Sequence, residues 1–370
     1  MSIVQMISSQ DYFKSSHLVL KGEIPSGSIT WQSPSNIALV KYWGKHGDQL
    51  ANNPSISFTL TNAHTQTALT FGPRSVPVGG VSLSLLFDGE KKDSFEVRTK
   101  SYVEKLITIF PFIEQIHFDI RTRNSFPHSS GIASSASGMS ALALCLCSLE
   151  HELFDTLDSD DLFRRKASFV ARLGSGSACR SIYAEVALWG RTGSAEDSSD
   201  QYAIPFKEHL HESISNFRDA ILIVNSKPKT TSSSSGHSMM ETHPFATTRY
   251  ESARKNLHQL IEALRIGDLM RIGQVCEHEA LTLHALLMSS QPSILLIEPN
   301  TIKILQLIQE FRKTTNNPVF FTIDAGPNVH VLYPHHVAVE VESFIQDVLS
   351  VYCEDGAWIN DQIGPGPIQM

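Results

Sequence analysis

Apolar and polar positions follow two different periods along this chain, and the switches between them outline its elements. From residue 29 the pattern is that of a strand, which turns continuously apolar at Ile37-Ala38-Leu39-Val40. Residues 55–71 alternate and predict a long half-buried strand, while residues 81–87 and 94–98 read as strands flanking a turn at Asp88-Gly89. Residues 101–110 have helical spacing. Residues 139–149, Met-Ser-Ala-Leu-Ala-Leu-Cys-Leu-Cys-Ser-Leu, are apolar on every side, and a helix apolar all round is a buried one. A further helix is expected over 160–173, with Gly174 as its C-cap.

The second half has a different texture. Residues 191–201 are polar and loop-like, 220–225 form a strand, and 227–236 make a Ser/Thr-rich loop with two lysines. Three helical stretches follow at 246–265, 266–288 and 301–314, then strands at 318–323 and 329–333 and a last helix over 337–351. The domain division predicted is 1–28 as an extension ending in Pro25-Ser26-Gly27-Ser28, 29–210 as a first domain and 211–370 as a second. The class is α+β, with a mixed-sheet α/β first domain.

Composition narrows the function more than the fold. With 370 residues the chain suits two cored domains, and 41% hydrophobic against 18% charged residues is ordinary for globular proteins. A net charge of −8 argues against nucleic-acid and membrane-surface binding. An anionic ligand would therefore need a local basic pocket. Five cysteines without CxxC spacing fit reduced, buried thiols, and neither a membrane-spanning run nor a signal peptide is apparent, so a soluble cytoplasmic protein is expected. Sixteen histidines include no HExxH, so no zinc site is expected; metal ligands are not identified.

Four segments carry candidate chemistry. Lys41 and Lys45 lie four apart with Tyr42, Trp43 and Gly44 between them, one cationic face if helical. The apolar run leading in puts Lys41 at the edge of a core, where a lysine needs an anion to offset its desolvation. The second segment, Phe126–Gly138, is rich in glycine and serine (Ser129, Ser130, Gly131, Ala133, Ser134, Ser135, Ser137) and opens onto the buried helix, whose N-terminus suits a phosphate. It is not a Walker A loop, because no Gly-Lys-Ser/Thr closes it. The third, Gly174-Ser175-Gly176-Ser177-Ala178-Cys179-Arg180, offers hydroxyls and a planar guanidinium suited to a carboxylate. Cys179 admits a nucleophile reading, weighed against a buried structural thiol. The fourth, Thr322-Ile323-Asp324-Ala325-Gly326-Pro327-Asn328, presents Asp324 at a strand end, as a reacting carboxylate or as a turn-former. A lid over phosphates, or a surface loop, is read at Lys227, Lys229 and Ser232–Ser235.

In this order the motifs resemble the diphosphomevalonate decarboxylase family of the GHMP small-molecule kinase superfamily, from about residue 30 onward. The phosphate-loop pattern is kept from Pro127 to Ala136. The resemblance implies a two-domain GHMP kinase fold with a ferredoxin-like C-terminal domain, and ATP with Mg²⁺ as cofactors. It implies a homodimer that converts (R)-5-diphosphomevalonate to isopentenyl diphosphate, ADP, phosphate and CO2. ATP phosphates would meet Ser129, Ser130, Gly131, Ala133, Ser134, Ser135, Ser137 and Lys229. Substrate would meet Tyr42 through Lys45, Ser175 through Arg180, and Ser234, with Tyr42 and Lys45 on the diphosphate and Arg180 on the carboxylate. Lys41 would stand beside the reacting centre and Asp324 would take or orient the 3-hydroxyl proton. Two departures stand out: residues 48–54 are shorter than usual, and Glu241-Thr242-His243-Pro244-Phe245 stands where some members place an arginine. Roles for His237 and His243 stay open. So do a kinase that stops at phosphorylation, a decarboxylase of the monophosphate, and a nucleotide sensor without catalysis.

Overall fold

The computed structural model describes residues 13–75, 79–127, 132–206, 210–227 and 233–370. The first half runs β1 (Gly27–Val40), a small hairpin of β2 (Lys45–His46) and β3 (Leu50–Ala51), β4 (Ser55–Pro73), β5 (Ser82–Phe87), β6 (Glu90–Lys91), α1 (Asp93–Lys105), β7 (Ile116–Asn124), α2 (Ser134–Phe154), α3 (Asp160–Gly174), β8 (Val186–Trp189) and β9 (Ala203–Pro205). The second half runs β10 (Arg218–Leu222), α4 (Ser233–Met239), α5 (Ala246–Ile266), α6 (Leu269–Ser289), α7 (Pro299–Thr315), β11 (Phe320–Ile323), β12 (Val329–Tyr333), α8 (Ala338–Phe344), β13 (Trp358–Gln362) and β14 (Ile368–Gln369).

Among the described residues the first half builds an eight-stranded sheet ordered β14-β1-β4-β7-β5-β6, with β8 on β4 and β9 on β8. The β5–β7 pair is parallel and the rest antiparallel, so the sheet is mixed. Nineteen residues of β4 serve β1 along one edge and both β7 and β8 along the other. Helix α2 lies on this sheet, buried from Ser140 through Glu150. The second half is a four-stranded antiparallel sheet, β11-β12-β10-β13, whose core includes residues of α7 and α8. This is an α+β architecture of two halves, each with its own sheet.

Several expected elements are placed differently. Residues 94–98 belong to α1 rather than to a strand, because Phe95, Thr99, Tyr102 and Val103 turn one face inward at helical spacing. Gly174 is the last residue of α3 and not a left-handed cap, since the Ser175 that follows is extended. Its small size matters instead, for a Cβ there would stand 2.8 Å from Met139 Sδ and 2.9 Å from the Tyr102 ring. The buried helix starts at Ser134, five residues earlier than its apolar run, so Gly138 is helical. Within the expected Ser/Thr loop, residues 233–236 are already α4. Residues 13–26 are tied down: Leu18 is buried, and Gln115 bonds both backbone groups of Leu20.

The last strands fasten the two halves together. The Asp361 carboxylate in β13 accepts the amides of Thr61, Asn62 and Ala63 in β4 at 2.8, 2.8 and 2.7 Å. Gly364 then bonds Thr59 and Glu185, and β14 pairs with β1. A Cβ on Gly364 would stand 2.3 Å from the Leu60 carbonyl oxygen, which belongs to backbone and has no room to yield. Gly364→Ala should therefore cost about 2 kcal/mol or more. Gly138→Ala, at an open helical position, should instead gain about 1 kcal/mol. Denaturant midpoints that shift the same way for both would contradict this.

Candidate active site

The site begins where β1 stops. Ile37 through Val40 carry the strand into the core, and Lys41, 3% exposed, follows with no strand partner. The chain does not turn helical here, so Lys41 and Lys45 do not share a helix face. The Lys41 amide donates to Glu279 Oε2 at 2.9 Å, and its carbonyl accepts from Arg249 Nη2 at 2.6 Å and Asn53 Nδ2 at 3.1 Å. Its ammonium reaches Asp324 Oδ1 at 2.6 Å. Asp324 comes from the other half of the molecule, one residue past the fully buried β11. Its carbonyl accepts from His284 Nε2 at 3.1 Å. Beyond it, Asn328 and Asn225 exchange two bonds that hold the turn against β10.

Around this pair lies a cavity of about 660 Å³. Among its described lining residues Asp324 is the one carboxylate, facing Lys41, Lys45, Arg98, Lys105 and Arg180. An acidic chain thus holds a cationic hollow, which suits ligands with several negative charges. At one wall α2 begins: Ala133 adopts a left-handed φ of 47°, and Ser135 faces the cavity, 3.3 Å from the Ser175 hydroxyl. The helix N-terminus presents free N–H groups there.

Arg180 is 1% exposed and lies beside the Tyr42 and Trp189 rings. Its Nε donates to Ser57 Oγ at 2.7 Å and its Nη2 to Asn36 at 3.4 Å. Its Nη1 is buried with no partner, a donor waiting for an acceptor. Burial lowers the Arg180 pKa, but an arginine stays charged. Burial pushes the Tyr42 phenol up to about 12. Gly176 must be glycine, since a Cβ would come 2.7 Å from the Tyr42 hydroxyl oxygen.

Not every expected residue faces the cavity. The Ser137 hydroxyl is fully buried, 2.6 Å from Thr65 Oγ1, and bonds within the sheet–helix core. Ala178 and Cys179 lie in the hydrophobic core, and burial raises the Cys179 thiol to about 12, which leaves no thiolate for a nucleophile. All five cysteines are free and buried. Trp43 does line the cavity, and it also belongs to a hydrophobic cluster with Met240, Leu283 and Leu286 between the halves. Gly44 has φ +95° and donates to His237. Ser134 opens α2 and Ser234 falls within α4. Ser129, Ser130, Gly131 and Lys229 lie outside the described residues.

Reading the sequence missed Arg98 and Lys105, which reach the cavity from α1 together with Ser94 and Ser101. Their i, i+4, i+7, i+11 spacing is a helical signal, hidden by taking 94–98 as strand. Their charge is felt: the pKa of Lys45 is lowered by its own partial burial and then by Lys105 and Arg98. His237, whose role the sequence left open, also lines the cavity. Its ring stacks on Tyr42 and leans on Trp43, each at 4.6 Å, and its Nδ1 accepts from the Gly44 amide at 3.0 Å. The histidine is thereby a neutral part of the wall. His243 is buried behind it, bonded to the end of α6.

A helix start on a mixed sheet, facing a strand-end aspartate from a second, four-stranded half, is the arrangement of the GHMP small-molecule kinase superfamily. A diphosphomevalonate decarboxylase-like N-terminal domain matches residues 33–202, and a mevalonate 5-diphosphate decarboxylase C-terminal domain matches residues 220–363. The chain belongs to the diphosphomevalonate decarboxylase family. A diphosphomevalonate decarboxylase of Gibberella zeae is 32% identical over 343 residues, 86% of this chain and 84% of the relative. The Danio rerio protein is 29% identical over 322 residues, 82% and 75% of the two chains. The crystal structure of mevalonate diphosphate decarboxylase from Staphylococcus aureus aligns with a TM-score of 0.79 at 27% identity, covering 94% of this chain and 98% of its own. The structure of MDDEF in complex with MVAPP, AMPPCP and magnesium aligns with 0.77 at 26% identity, covering 94% and 99%.

Burial, and next the charge of Lys45, lower the His237 pKa to about 3. The unfolded chain protonates this histidine near pH 6.5 and the folded chain does not. Its stabilising contribution is therefore complete above about pH 6.5 and is lost, by up to about 1.4 kcal/mol per pH unit, as pH falls toward 3. Denaturant unfolding of the native protein should weaken more steeply from about pH 6.5 to 4 than that of His237→Gln. Parallel curves would show that His237 is not held neutral.

Proposed function

We propose that this chain carries out the ATP-dependent decarboxylation of (R)-5-diphosphomevalonate to isopentenyl diphosphate, with release of ADP, phosphate and CO2. The observation that carries the reading is the 2.6 Å contact of Lys41 with Asp324 on a cationic cavity whose Arg180 keeps an unpaired buried donor. A tertiary hydroxyl is a poor leaving group, so ATP first converts it to a phosphate ester. That step needs positioning and charge neutralisation more than covalent help. Asp324 accepts or orients the 3-hydroxyl proton, and Lys41 holds that carboxylate in place and meets the charge of the transferring phosphoryl group. Departure of phosphate leaves cationic character at C3, and the substrate carboxylate then leaves as CO2. Arg180 fixes that carboxylate through Nη1 without protonating it.

The start of α2 with Ser134 and Ser135 takes nucleotide phosphates, as Ser129, Ser130, Gly131 and Lys229 are expected to. Tyr42 and Lys45 hold the substrate diphosphate, with Arg98 and Lys105 adding to the same field. Ser175 and Ser177 face substrate, and Ser234 is kept as a contact by resemblance. No group of three or more His, Cys, Asp or Glu residues that could cage a metal occurs among the described residues. The Ser135 and Ser175 hydroxyls, 3.3 Å apart on the cavity wall, are hard oxygens of the kind a Mg²⁺ that arrives with ATP phosphates accepts. When bound, it would supply charge neutralisation on the phosphates. Magnesium with AMPPCP in MDDEF supports the pairing. No helix among the described residues is long and apolar enough to cross a membrane, and five free buried cysteines suit the cytoplasm. A homodimer completes the reading, on family resemblance.

A kinase of the same fold would make ADP without CO2. The deciding experiment follows ADP and ¹⁴CO2 together from C1-labelled (R)-5-diphosphomevalonate. Equal amounts are expected, and ADP alone would overturn the decarboxylase in favour of the kinase. Asp324→Asn should cut kcat by about 10²–10⁴-fold while changing KM far less. A near-normal rate would remove Asp324 from the chemistry. Arg180→Ala should raise substrate KM and lower kcat together, because the guanidinium both binds and orients.

A further inference from the structure

Lys41 owes its position to charges that stand behind it, away from the reaction. Past Val40 its amide and carbonyl have left the sheet, and two of the groups that satisfy them belong to one buried ion pair. Arg249 on α5 makes two parallel bonds to Glu279 on α6, Nη1 to Oε1 at 2.7 Å and Nη2 to Oε2 at 2.6 Å. The same Glu279 Oε2 accepts the Lys41 amide, and the same Arg249 Nη2 donates to the Lys41 carbonyl. Asn256 locks Glu279 Oε1 from a third side at 2.6 Å. Arg249 is 2% exposed and Glu279 0%. Burial alone would raise the Glu279 pKa, but the bonds from Arg249, Asn256 and the Lys41 amide outweigh it and hold the carboxyl ionised.

We propose that the Arg249–Glu279 pair is a positioning device for the reacting centre, gripping the Lys41 peptide from both sides so that its ammonium meets Asp324. Helix α6 links the two partners, since Glu279 holds Lys41 and His284, five residues on, holds the Asp324 carbonyl. The pair's grip on Lys41 spans the two halves, because Lys41 directly follows a strand of the first sheet while α5 and α6 belong to the second half. Buried ion pairs add little net stability and exchange for apolar residues at small cost. An apolar pair could fill the same space, yet it could not satisfy one donor and one acceptor of the Lys41 backbone.

This rests on the reaction proposed above, so the native chain is assayed first for coupled ADP and CO2. If the native chain makes neither, the functional reading fails and not this one. Given activity, Glu279→Gln and Arg249→Lys should each lower kcat about 10–100-fold, the scale of a small misplacement at a reacting centre. KM for either substrate should change less than about threefold, since the binding cations are untouched. In a Lys41→Met background Glu279→Gln should have no further effect on kcat, because it acts through Lys41. Equal losses in both backgrounds, or an unchanged kcat in folded single variants, would overturn the proposal. Should Glu279→Gln not fold, Arg249→Lys, which keeps the charge and a donor, carries the same test in both backgrounds.

Discussion

An ammonium group that is almost wholly out of water must face an anion, and in this protein the anion is supplied from the other half of the chain. The Lys41–Asp324 contact joins the end of β1 to the end of β11. That requirement fixes one distance between the two sheets, where hydrophobic contact fixes only an area. It also accounts for a cationic cavity in a chain of net charge −8: the positive side chains are gathered where two strand ends and the start of α2 converge. Clefts of this kind focus their field on an approaching polyanion.

Geometry around the pair divides labour between groups that face the cavity and groups that stand behind it. Arg180 has its Nε and Nη2 tied to Ser57 and Asn36, which leaves Nη1 as the donor on offer. Tyr42, His237 and Trp43 form an aromatic wall, His237 stacked on Tyr42 and tilted against Trp43, that carries no charge of its own. Low-dielectric walls of this sort make the neighbouring charges more effective toward a phosphate or carboxylate.

Much of this was legible in the sequence, and for physical reasons. Helix α2 stood out because it is apolar on every side, and Lys41 and Asp324 because each interrupts an apolar strand. Both strand-end residues lie where continuous hydrophobicity stops, and no other explanation of their position was as economical. The misreadings have causes too. Residues 94–98 alternate like a strand, yet the inward face of α1 only emerges over the whole of Asp93–Lys105. β13 is Trp-Ile-Asn-Asp-Gln, too polar for a strand signal, because Asp361 spends its charge on three amides of β4. Arg249 and Glu279 sit thirty residues apart inside amphipathic helices, where single charges normally mark the solvent face. Only tertiary packing turns them inward. Ser137 erred the other way: a serine in a phosphate-loop pattern became a core hydrogen bond once α2 started at Ser134.

The return of the chain to its first sheet has a bearing on how the protein is made. β1 is an inner strand only because β14, more than three hundred residues later, pairs with Trp31 and Gln32. While the chain emerges from a ribosome, that edge stays open through synthesis of everything between, and an open strand edge invites pairing with other chains. Closure depends on a contact of very long sequence separation, the kind that slows folding most. Asp361 and Gly364, which seat the returning segment on β4, therefore act last in assembly, and a nascent chain short of them would carry its nearly finished sheet unsealed.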